Sequence, residues 1–261
     1  MIATFISMAL YLGAAAWLSA TVARGQPRAR GWVLVAVGGI VLHALVHVVD
    51  WVATGGADLH FFAALSLVTL AMAALTTAVG ARGRMALLGV VVYPLAALAL
   101  LGHELRGSLA PIPLDWRLQL HAWLALLSYA TLAIAAILAV MLWLQERALR
   151  RRDLHGWLRA LPPLVELETL LFRCIKVGFV LLSATLLTGV LFVHDLLAQH
   201  LVHKTVLSAL SWLVFGALLA GRWRFGWRGR TAVRWTLAAM ALLVLAFFGS
   251  KFVLEVLLGV R

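Results

Sequence analysis

The sequence predicts an all-α fold, a polytopic integral membrane bundle of about eight transmembrane helices with both termini on the outer, periplasmic side. Three observations carry this. Hydrophobic residues make up 64% of the 261 positions and charged residues only 12%, where a soluble domain carries roughly 25% charged residues. Mean hydropathy is +1.01. The apolar residues gather into eight runs, each close to the ~20 residues a helix needs to cross a bilayer core. These runs lack the alternation of barrel strands, so helices must satisfy the backbone groups in lipid.

In order, the runs are 2–22, 31–52, 61–80, 85–102, 119–144, 172–193, 204–221 and 233–256. The first has no basic region before it and Arg-rich sequence after it, so it reads as a retained helix rather than a signal peptide. Charge alternates between connections. Arg24, Arg28 and Arg30 follow the first run, Arg82 and Arg84 the third, and Arg147, Arg150, Arg151, Arg152, Arg159, Arg173 and Lys176 the fifth. Arg222, Arg224, Arg228, Arg230 and Arg234 follow the seventh. The opposite side holds only Arg106, Arg117, Lys204 and Arg261. The positive-inside rule makes the first set cytoplasmic and turns both termini outward.

Residues 1–261 read as one transmembrane domain in a bacterial inner membrane. Its longest connection, 145–171, contains RALRRRD and then LPPLVELETLLF, where Pro162 and Pro163 open an interfacial helix resting on anionic lipid. A net charge of +12 sits between apolar runs rather than along a solvated face, which excludes nucleic acid as the partner and leaves lipid. The single cysteine, Cys174, excludes an internal disulfide and a CxxC redox pair. Phosphate-loop, metalloprotease and nucleophile-elbow motifs are absent, so the chain reads as a non-enzyme.

Eight of nine histidines fall on the outer side: His43 and His47 in the second run, His60, His103, His121, and then His194, His200 and His203 in the connection VHDLLAQHLVHK. Taken singly, His60, His103 and His200 read as amphipathic residues at the interface. His43 lies inside a helix, where an ionisable group is costly and functional by default, and His47 is one turn along the same face. His121 opens a helix. Imidazoles from different helices can ligate haem iron in a bundle. Arg106, Arg117 and Lys204 would meet the propionates, and Trp51, Trp123, Phe61 and Phe192 would wall the macrocycle.

The run HAWLALLSYATLAIAAILAVMLWL resembles a helix of the cytochrome c assembly family of membrane haem-handling proteins, the CcsA and CcmC type, in which a histidine opens a helix bearing an SYA-like element. ELETLLFRCIKVGFVLLSATLLTGVLF is similar to a second family segment, with Arg173, Gly178, Phe179 and Gly189 on its fixed points. Lys204 and Trp212 fall where the family has a lysine and then a tryptophan, and the closing helix looks like that of the YpjD-like branch. The resemblance runs from about Met85 to the C-terminus. It implies haem b as cofactor, His121 as an external haem ligand and His43 as an intramembrane one, with other membrane or periplasmic haem-handling proteins as partners. Two family histidines are replaced near Leu219 and Val253, and the tryptophan-rich presentation loop is replaced by VHDLLAQHLVHK, so His194 or His203 is expected to substitute as the iron ligand. Two readings compete with a haem holder. One is a transporter of a divalent metal or small substrate using the same histidines; the other is a membrane partner subunit with no ligand.

Overall fold

The computed structural model describes residues 1–24, 31–56, 58–81, 84–106, 115–152, 161–192 and 199–253. These residues are helical throughout, without strands, and eight helices are long and apolar enough to cross a membrane. They are α1 (Ile2–Ala23), α2 (Gly31–Thr54), α3 (Phe61–Gly80), α4 (Leu88–Arg106), α5 (Trp116–Arg150), α6 (Leu164–Phe192), α7 (Gln199–Phe225) and α8 (Gly229–Val244). A 3-10 turn, Arg84–Leu87, leads into α4, and a π-helical turn, Leu245–Gly249, continues α8.

Two differences from the sequence expectation concern 145–171. Residues up to Arg150 extend α5, and the segment after Pro163 is the first part of α6, which runs unbroken into the apolar stretch. Pro162 and Pro163 therefore open a transmembrane helix rather than a separate interfacial one. Proline is well placed before a helix because its missing N–H would have no intrahelical partner there.

The packing divides into two compact units. In Met1–Pro113 with Ala148–Pro162, α1 packs against α2 at Gly38 and Gly39, where an added Cβ would meet Leu10 at 3.3 Å and Tyr11 at 3.2 Å. Small residues allow this approach, and Ser7 uses it to donate to the Gly39 carbonyl at 2.8 Å. Tyr11 and Tyr93, both fully buried, stack at 5.9 Å. The Tyr93 hydroxyl lies 2.9 Å from Thr77 Oγ1.

In Leu114–Arg147 with Pro163–Arg261, hydroxyl-to-carbonyl bonds join neighbouring helices. Ser128 donates from α5 to Gly178 on α6 (3.3 Å), Tyr129 from α5 to Leu243 on α8 (2.5 Å), and Ser211 from α7 to Ala239 on α8 (2.8 Å). Trp212 Nε1 donates to Ser183 Oγ at 2.8 Å, and its ring stacks on Phe179 at 5.5 Å. At the other end of these helices Glu168, almost fully buried, accepts from Arg222 Nη1 at 2.9 Å and from two nitrogens of Arg228 at 2.9–3.1 Å. This bond holds the Arg228 guanidinium above its ordinary pKa.

Gly178 is a tight approach between α5 and α6, because a Cβ there would stand 2.5 Å from Leu132 Cδ2. Leu132 is fully buried and cannot swing into open space. Gly178→Ala should therefore destabilise the chain by about 1–3 kcal/mol through overpacking. Thermal unfolding in detergent would show a lowered midpoint; an unchanged midpoint would mean that α5 and α6 separate freely at this level.

Candidate functional site

The unit formed by α5–α8 encloses a cavity of about 300 Å³. Its walls are largely apolar, with Leu182, Val190 and Phe247 among them, while His121, Lys204 and Ser208 supply polar groups. One wall includes the π-helical turn that continues α8, and the Tyr129 hydroxyl binds the Leu243 carbonyl just before that turn. Turns of this kind recur at functional sites because they re-aim side chains within a helix.

The hydrogen bonds around His121 bias its tautomer. Thr188 Oγ1 lies 2.9 Å from the Ala184 carbonyl and 3.0 Å from that of Thr185, and donates its single proton there. It therefore meets His121 Nδ1, at 3.2 Å, as an acceptor. With the Thr188 proton on a carbonyl, this arrangement favours a proton on Nδ1 and a lone pair on Nε2, the state in which imidazole ligates a metal. Gly189 leaves the ring its room, since a Cβ there would come within 3.2 Å of His121 Cε1.

The other unit holds a column of four imidazoles. His43 and His47 stack at 5.4 Å, His47 and His103 at 4.7 Å, and His103 and His60 at 5.7 Å. Three elements supply them: α2, the residue capping α3, and α4. His43 has both nitrogens engaged, Nδ1 3.2 Å from the Tyr11 hydroxyl and Nε2 2.8 Å from Ser66 Oγ. Ser66 Oγ also lies 3.0 Å from His47 Nε2. With one hydroxyl proton, Ser66 can donate to at most one of the two Nε2 atoms.

The residues expected from sequence therefore separate. His121 and Lys204 line one cavity, and His43 and His47 belong to the column. His203 is exposed on α7. Arg117, 57% exposed, lies over the rings of Trp116 and Phe192 at 5.6 and 5.9 Å and near Asp115. His194 lies outside the described residues. The expectation that His60 and His103 sit at the interface is corrected, because they are only 8% and 2% exposed and stack within the column. Of the expected aromatic walls none lines the cavity; Tyr129 and Phe247 take that place. Sequence reasoning missed Thr188 and Ser66, since hydroxyls on an apolar helix are common and only packing shows which meets an imidazole. His60 and His103 did carry a signal, because a carboxylate, Asp58, stands two residues before His60.

Eight membrane-length helices, with His121 and Lys204 lining a cavity and four imidazoles stacked in a column, define a polytopic membrane protein. Residues 32–258 match the family described as Cytochrome C assembly protein, and the chain belongs to that family. The match begins well before Met85, where the sequence resemblance was first visible, and takes in His43 and His47. The chain is similar to Inner membrane protein YpjD of Escherichia coli (strain K12), 34% identical over 87% of this chain and 89% of the relative. It is 28% identical to Protein HemX of Brevibacillus brevis over 49% of this chain and 48% of that one. It is 26% identical to Cytochrome c biogenesis protein CcsA of Prochlorococcus marinus (strain MIT 9515), over 57% and 54% of the two chains. No solved structure matches it.

Ser66 bridges two buried rings, so Ser66→Ala would strand the Nε2 atoms of His43 and His47. The expected cost is about 1–3 kcal/mol. Thermal unfolding in detergent would read it, and an unchanged midpoint would show that water reaches the column.

Proposed function

We propose that this inner-membrane protein holds haem b in the cavity of the α5–α8 unit, with His121 as an iron ligand, and passes it to other haem-handling proteins at the outer face. The observation that carries the reading is the state of His121, whose Nδ1–H rests on Thr188 and whose Nε2 lone pair remains for a metal. The donor set fits haem. Apolar walls suit a macrocycle, the Lys204 side chain offers a cation for a propionate, and Gly189 leaves the imidazole space to stand. Haem bound here would supply an exchangeable iron centre. The chain's own residues set the rest: Thr188 fixes the tautomer, the apolar walls exclude water, and Lys204 orients the charged edge. Imidazole–iron bonds form and break without a covalent step, so on this reading the chain is a carrier rather than an enzyme. On this reading the His121 end faces outside, and the concentration of arginines at the opposite ends of the helices supports it.

The test is the absorption spectrum of the detergent-purified chain, oxidised and reduced, beside His121→Ala. A b-type reduced spectrum that the variant loses supports the reading; a colourless chain that also takes up no added haem overturns it. Thr188→Val keeps the shape but removes the acceptor for Nδ1–H. Loss of a partner behind a ligating histidine typically lowers affinity about 10–100-fold. Haem titration of the variant should show a shift of that size, and an unaltered affinity would mean that Thr188 does not orient the ligand.

A further inference from the structure

The column in the other unit contains two histidines that the haem reading does not use. The stacked rings of His60 and His103, both buried, lie with their planes 27° apart. Each has a carboxylate on one nitrogen. Asp58 Oδ1 lies 2.8 Å from His60 Nδ1, and Asp50 Oδ2 lies 3.0 Å from His103 Nε2. Both rings also keep buried nitrogens without any hydrogen-bond partner, Nδ1 and Nε2 of His60 and Nδ1 of His103, so Asp58 meets His60 Nδ1 by close approach rather than by a hydrogen bond. Buried ring nitrogens are rarely left so, because each forfeits its hydration without return. A carboxylate on one nitrogen and a bare second nitrogen is the arrangement of metal-ligating histidine, in which the carboxylate orients the ring and raises its basicity.

A cavity also reaches one member of the pair, His103. Its volume is about 320 Å³, and Asp50 and Glu104 line it together with Met1 and apolar residues of α2. Glu104 is held there by Thr4 Oγ1 at 2.6 Å and by the terminal ammonium at 3.4 Å. The carboxylates give the cavity a bias toward cations.

We propose that His60 Nε2 and His103 Nδ1 are protein donors to a divalent transition-metal ion, a site separate from the haem cavity. Imidazole donors favour zinc, iron(II), nickel or copper over magnesium or calcium. Asp50 and Asp58 supply two negative charges that balance the ion. Among the described residues no three such side chains already close on one point. The pair is completed by His47, whose ring lies against His103, or by water from the cavity. The site does not depend on haem binding at His121.

Zinc alone is the probe. The full chain in detergent is stripped with a chelator, incubated with zinc, desalted and assayed for bound metal and thermal midpoint, beside His60→Ala, His103→Ala and Asp50→Asn. Zinc held elsewhere appears equally in every variant, so the difference from wild type is read. The expected result is about one zinc fewer per chain in each alanine variant and a midpoint that zinc raises only in wild type. Asp50→Asn leaves both donor nitrogens in place and should weaken zinc about 10–100-fold. Magnesium should not be retained, and the haem spectrum should persist in variants that stay folded. Equal zinc in wild type and both alanine variants, or no zinc retained by wild type, would overturn the proposal. If an alanine variant fails to fold, Asp50→Asn with unaltered zinc affinity overturns it in the same way.

Discussion

A hydroxyl or imidazole inside a lipid-embedded bundle has no water to bond, and both units are organised around that constraint. Tyr129 meets it by donating across the helix interface to the Leu243 carbonyl, just where α8 passes into its π-helical turn. Ser128 and Ser211 do the same at Gly178 and Ala239. Because lipid offers helices little hydrophobic reason to associate, these bonds and close contacts at small residues determine which helix faces meet. In the other unit Ser7 on Gly39 and Tyr93 on Thr77 play the same part.

The residues that carry the family likeness turn out to be these contacts. The Ser128-Tyr129-Ala130 element binds two backbone carbonyls on two different helices. Gly178 admits Leu132, and Phe179 stacks on Trp212. Gly189 stands against His121, and Lys204 lines the same cavity. A pattern that reads as scattered points along two helices is a joint in space, with the cavity at one end of it. At the other end Glu168 gathers Arg222 from the last turn of α7 and Arg228 from the α7–α8 connection, so the helices are tied at both ends of their length.

The two groups of imidazoles are satisfied in opposite ways. His121 is supported from behind by a neutral hydroxyl whose own proton is already committed, which leaves one nitrogen facing apolar space. His60 and His103 are supported by carboxylates instead. Between them and Tyr11, His43 and His47 share a single serine hydroxyl. A neutral support suits a large ligand whose charge lies at its edge. Anionic support suits a small ion with its charge at the donor atoms.

Composition and run length by themselves determined the membrane class, the number of helices and most of their limits, because the bilayer imposes one length and one polarity on any spanning helix. His43, His47, His121 and Lys204 stood out as candidates for a related reason: a polar group in an apolar run is costly and therefore conspicuous. What only the tertiary structure decided was which of them meet. His60 and His103 sit at helix ends, where sequence cannot distinguish a ring facing water from one folded under its neighbours. The continuity of α6 through its charged first turns was equally hidden, since Glu168 reads as an interfacial residue until Arg222 and Arg228 arrive from 54 and 60 residues away. Thr188 and Ser66 became visible last, because a hydroxyl that can always bond its own helix reveals a second partner only when another helix brings one within reach.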